Sequence, residues 1–167
     1  MDFINTYATG GLGDIISFAS NFLVLIVLTV VLFLFAMRAG RAVFTSLVIA
    51  LYAGYGLYTV FPYKEMLAGS GGTVATASNL VLFLGLSFVP YLLLRKIATS
   101  GLMRINPLIM IILSVATAGF ILVLGYQSFD LGSLLPLTPM LESILMPEQY
   151  FFWWLVAPLA GLFIAAR

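Results

Sequence analysis

The chain has 167 residues, 63% of them hydrophobic and 8% charged, with a mean hydropathy of +1.18 and a formal net charge of +1. A soluble domain carries about 25% charged residues, so this composition excludes a water-facing globule, and a charge so near neutral leaves no electrostatic footprint for nucleic acid. Cysteine and histidine are both absent, which removes disulfides, thiol nucleophiles, thiolate or imidazole metal ligands and the usual near-neutral proton shuttle.

Met1-Asp2-Phe3 offers no basic n-region, and the first apolar stretch is too long for a signal-peptide h-region, so the first span is expected to stay in the mature protein. A helix needs roughly 20 apolar residues to cross about 30 Å of hydrocarbon. Residues 15–37 meet that requirement and stop at Arg38. The second span, 42–61, starts after Arg41 and ends before Pro62. The Arg38-Ala39-Gly40-Arg41 turn between them is so short that the two helices must be antiparallel neighbours. The third span, 78–94, closes at Arg95-Lys96 and contains Pro90, which cannot donate a backbone hydrogen bond. Asn106-Pro107 reads as a cap and first-turn proline for the fourth span, 108–126.

The loop 127–149 carries Thr138-Pro139 ahead of a short run, Met140 to Leu145, that reads as an N-capped helical turn. Leu134, Leu135, Leu137, Leu141, Ile144 and Leu145 make this loop apolar enough to lie on the outer leaflet or over the bundle. The fifth segment, 151–166, is short, contains Pro158 and ends at Arg167; it is expected to span, with a re-entrant or surface-lying helix as the rival arrangement. Tyr150, Phe151, Phe152, Trp153 and Trp154 open it as an interfacial aromatic belt.

The charges give these spans a direction. With five crossings, Arg38, Arg41, Arg95, Lys96, Arg104 and Arg167 share one side. Lys64 and all six acidic residues, Asp2, Asp14, Glu65, Asp130, Glu142 and Glu148, fall on the other. Basic loops stay in the cytoplasm. The expected fold is therefore all-α: a single polytopic membrane helical bundle over residues 1–167, with about five transmembrane helices, the N-terminus outside and the C-terminus cytoplasmic. The expected location is the plasma (inner) membrane.

Two constellations stand out. The second span carries Ser46-x3-Ala50-x3-Gly54 and the fifth Ala157-x3-Gly161-x3-Ala165. Small residues at every fourth position let helix backbones approach closely where lipid supplies no hydrophobic drive. Such ridges serve packing within one subunit, a homo-oligomer, or another membrane protein. Asp14, Ser17 and Asn21, spaced i, i+3, i+7, share one helical face. With Asn79 and Gln127 they could line a polar vestibule open to the outside. The simpler alternative makes Asp14 a carboxylate placed at a helix N-terminus and Ser78-Asn79 the cap of the third span. Tyr52 and Tyr55 lie deep in the second span, so their hydroxyls need partners, for which Asn21 or a backbone carbonyl would serve. Gly69-Ser70-Gly71-Gly72 lacks the Gly-Lys-Ser/Thr of a phosphate loop.

Between the span ends there is no Asp, Glu, Lys, Arg or His, which argues against proton relays, ion-coupling charges and acid–base catalysis by this chain. No catalytic, cofactor or metal-binding residue is expected. Arg38-Ala39-Gly40-Arg41 followed by Ser46-Leu47, with Thr99-Ser100-Gly101-Leu102 and Arg104 as a second echo, resembles the colicin V production protein family of small bacterial inner-membrane proteins over about Asp14–Tyr126. The apolar fourth span after Asn106-Pro107 and the added fifth span depart from that family. The resemblance implies an accessory envelope role and transfers no site residue. The leading expectation is a small non-enzymatic integral membrane protein acting as an accessory or structural subunit, with the bilayer as its constant partner. A pore or carrier for a small neutral or apolar solute is the alternative.

Overall fold

A computed structural model describes residues 22–63, 72–97, 107–129, 131–133, 138–145 and 147–165. Every regular element among them is helical: α1 (Leu23–Ala39), α2 (Arg41–Thr59), α3 (Gly72–Ile97), α4 (Pro107–Phe129), a 3-10 turn (Leu131–Ser133), α5 (Pro139–Leu145) and α6 (Glu148–Ala165). Three of them, α2, α3 and α4, are long and apolar enough to cross a membrane. The shorter α1 and α6 are also apolar in character, and α1 is apolar all round except for Thr29 and, in its last turn, Arg38. A helix with no polar face has no side to offer water.

Gly40 makes the α1–α2 connection. Its φ of 94° and ψ of 158° lie in a region open essentially to glycine alone. Its N–H donates to the Ala36 carbonyl at 3.1 Å, and its own carbonyl accepts from Phe44 N–H at 3.1 Å. One residue thus closes one helix and opens the next.

The third helix is longer than its apolar run. It begins six residues before the expected 78 and continues to Ile97, so Ser78 and Asn79 lie inside α3 rather than capping it. Thr76 Oγ1 donates to the Gly72 carbonyl at 3.4 Å, and a hydroxyl satisfied within its own helix is tolerated there. Pro90 and Pro158 both sit within continuous helices. The fourth helix likewise continues past 126 to Phe129, and α6 starts at Glu148 rather than 151.

At the centre stands α4, which packs against α1 on one side and α6 on the other, while α3 is attached mainly through α2. Leu32, Ala36 and Phe44 meet Met110, Leu113 and Ala118 at one end of the bundle. Leu122, Val123 and Tyr126 meet Leu141 and Leu145 of α5 at the other. Leu141 and Leu145 are fully buried, so α5 lies over the bundle. Successive long helices alternate in direction, which brings Arg38, Arg41, Arg95 and Lys96 to one end and Glu142 to the opposite one.

Candidate functional site

Close backbone approach, expected from the small-residue ridges, is used inside the chain. Ser46, Ala50 and Gly54 are all buried. A Cβ placed on Gly54 would fall onto Ser87 of α3, 2.7 Å from its Cβ and 2.8 Å from its Cα. Ser46 Oγ is satisfied by the Ala42 carbonyl at 2.9 Å. On α6, Gly161 is buried and a Cβ there would lie 3.0 Å from Leu113 Cδ1. Ala157 is half-buried, and the side chain of Ala165 lies outside the described residues.

A third close approach, absent from both ridges, is the tightest on α4. Gly119 leaves room for the indole of Trp154, whose Cη2 would stand 2.9 Å from an added Cβ. Trp154 Nε1 also donates to the Ile144 carbonyl at 3.3 Å, tying α5 to α6. The aromatic-belt expectation is therefore corrected at this position: Trp153 is exposed, but Trp154 turns inward against α4. Gly119 within Ala116-Thr117-Ala118-Gly119 was the available sequence signal.

Tyr52 joins three helices. Its ring stacks on Phe120 of α4 with centroids 4.5 Å apart and planes 12° from parallel. Its hydroxyl donates to the Leu155 carbonyl of α6. The partner is thus a carbonyl 103 residues away in the chain. Tyr52→Phe keeps the stack and deletes the bond. It should cost about 0.6 kcal/mol, the mean for a hydrogen bond between membrane helices, read as a small fall in the unfolding midpoint in mixed micelles.

Other buried hydroxyls are mostly satisfied one helical turn back, Ser114 Oγ on the Met110 carbonyl at 2.8 Å and Thr117 Oγ1 on the Leu113 carbonyl at 2.7 Å. Thr45 Oγ1, Asn79 Oδ1 and Ser87 Oγ are buried without a hydrogen-bond partner among the described residues. Of the vestibule residues, Asp14, Ser17 and Asn21 lie outside the described residues. Asn79 is half-buried on α3, whereas Gln127 is exposed and its Nε2 donates to the Leu145 carbonyl of α5 at 3.4 Å.

Two large apolar clefts open between α1 and α3. The first, of about 490 Å³, is walled by Leu23, Val24, Val27 and Val31 on one side and Leu80, Phe83 and Leu84 on the other. The second, of about 450 Å³, continues it past Phe35, Leu47, Phe88 and Tyr91. They share Val31, Leu51 and Leu84, so they form one groove. Neither Asn79 nor Gln127 lines it.

No family model, curated protein or solved structure matches this chain.

Proposed function

We propose that this chain is a non-enzymatic, multi-pass integral membrane protein of the bacterial inner membrane, serving as an accessory or structural subunit. In this reading α1, α2, α3, α4 and α6 all cross the bilayer, with the Arg38/Arg41/Arg95/Lys96 end in the cytoplasm, as the positive-inside preference requires. The alternating directions of the five helices support that count. The colicin V production resemblance points to the same accessory role.

The observation that carries the subunit role is Gly85. Gly54, Gly119 and Gly161 each receive a neighbouring helix of the same chain. Gly85, in the middle of α3, has nothing within 4 Å of an added Cβ among the described residues. It lies with Val81 and Val89 on an exposed face, at i−4 and i+4. Glycine inside a helix costs about 0.5–1 kcal/mol relative to alanine, and packing among the described residues does not offset that. A small residue between two valines is the surface that another membrane helix packs against.

Mild-detergent purification followed by mass measurement should show an assembly of defined stoichiometry, either a homo-oligomer or a complex with a second membrane protein. Gly85→Ile should weaken that assembly about tenfold, the effect of roughly 1–3 kcal/mol of overpacking, while leaving the unfolding midpoint of the isolated chain unchanged or raised. A strict monomer with no co-purifying protein overturns the proposal. The carrier alternative would use a vestibule of which only Asn79 and Gln127 are among the described residues, and neither lines the groove between α1 and α3.

A further inference from the structure

The groove between α1 and α3 has a length, a polarity and an end. α1 and α3 run parallel along it, and α2 and α4 form its floor through Leu51, Ile121, Leu122 and Gly125. From Leu23 to Phe35 the α1 wall rises about 18 Å at 1.5 Å per residue. One leaflet of hydrocarbon is about 15 Å, half of the roughly 30 Å core. Over the described residues the groove is thus about as long as a single acyl chain. Each cleft also falls within the roughly 300–1,000 Å³ of ligand-holding sites.

The basic residues finish the walls. On α1, Val24, Val31, Phe35 and Arg38 follow one another at i, i+7, i+11 and i+14, so Arg38 continues the groove-lining stripe. On α3, Leu84, Phe88, Tyr91 and Arg95 follow at i, i+4, i+7 and i+11, and Arg95 does the same. Both helices end here, and Cα–Cβ bonds tilt toward the helix N-terminus, so both guanidinium stems start off leaning back over the groove. Arg38 and Arg95 are exposed. The sequence holds no Asp or Glu between Asp14 and Glu65, or between Glu65 and Asp130, so these helices bring no carboxylate of their own to that end.

We infer that the groove seats an anionic phospholipid of the leaflet at the Arg38/Arg95 end, its acyl chain along Val31, Leu51 and Leu84 and its phosphate between the two arginines. The inference rests on the reading that the bundle crosses a membrane, but not on the subunit role, which uses the Val81–Gly85–Val89 face.

Native mass spectrometry of the full chain in detergent, with equimolar dioleoylphosphatidylglycerol and dioleoylphosphatidylcholine added, tests it. The phosphatidylglycerol adduct should exceed the phosphatidylcholine adduct by about thirtyfold, the scale expected from two arginines acting on one anionic headgroup. Arg38→Gln with Arg95→Gln, both at exposed positions, should bring the ratio close to one. Leu84→Trp, which fills the groove, should reduce retention of both lipids while the arginines remain. Equal retention by the unsubstituted chain overturns the inference, as does a preference that survives loss of both arginines. Because the chain has no cysteine, Leu84→Cys is a unique probe: efficient disulfide-linked dimers in the membrane would place a second copy in the groove and overturn it too. The subunit role fails by a different readout, the mass of the assembly.

Discussion

Gly54→Leu is expected to destabilise the bundle by about 3 kcal/mol, the upper end of ordinary overpacking, because the new side chain meets backbone. An added Cβ stands 2.8 Å from the Ser87 Cα, and a helix axis, unlike the tip of a long side chain, cannot rotate aside. The consequence should concentrate on α3, which is held to the bundle mainly by this contact with α2. Only Thr76, Phe83 and Ser87 of α3 are buried. Unfolding in mixed micelles, followed by helical circular dichroism, should show the lower midpoint. Hydrogen exchange should show residues 72–97 losing protection ahead of α4. Adding Ser87→Gly removes the Cβ and Oγ from the collision and should recover about 1 kcal/mol, a coupling typical of residues in direct contact. A Gly54→Leu chain as stable as the original would mean that α2 and α3 do not meet here.

The second large effect is expected at Trp154. Trp154→Ala empties the space over Gly119 and deletes the bond to the Ile144 carbonyl. Large-to-small changes at fully buried aromatics cost about 3–5 kcal/mol in water-soluble cores, and Trp154 is half-buried. The lower end applies in lipid, where the transfer term shrinks and lost packing dominates. Because Trp154 also packs with Leu141 and Leu145, α5 should lose hydrogen-exchange protection first. Gly119→Leu should produce the same loss from the other partner. Combining Gly119→Leu with Trp154→Ala should be less damaging than the sum of the two, since each makes room for the other. Strict additivity would count against a direct Gly119–Trp154 contact.

Helices were legible wherever apolar residues ran uninterrupted, because a chain in hydrocarbon must satisfy its backbone internally. Arg38 and Arg41 marked the end of α1 and the start of α2 to within a residue or two. The N-terminal end of α3 was hidden by Thr73, Thr76, Ser78 and Asn79, which look like loop and cap residues on any hydropathy scale. The Thr76 bond to Gly72 shows how such a hydroxyl is accommodated in a helix. Ridge spacing pointed to Gly54 and Gly161 as points of close approach, but spacing carries no information about which helix arrives. The Gly119–Trp154 contact and the Tyr52 bond to Leu155 pair residues from distant spans, and a single sequence does not encode such pairings in any local period. The groove was invisible for the same reason: its walls are ordinary apolar helix faces until α1 and α3 are set side by side.

The central position of α4 carries a consequence for biogenesis. Leu32 and Ala36 of α1 are covered by Met110 and Leu113, residues synthesised roughly 75 positions later, which at about 5–20 residues per second is a delay of some 4–15 s. The α1–α2 hairpin and the α2–α3 pair can form in that interval from contacts already made. The α1 face destined for α4 cannot, and must be sheltered by lipid or by the insertion machinery until its partner emerges. The last helix, α6, then closes over α4 and supplies the carbonyl that receives the Tyr52 hydroxyl. Truncation before α6 therefore leaves an intermediate with that hydroxyl still waiting for its acceptor.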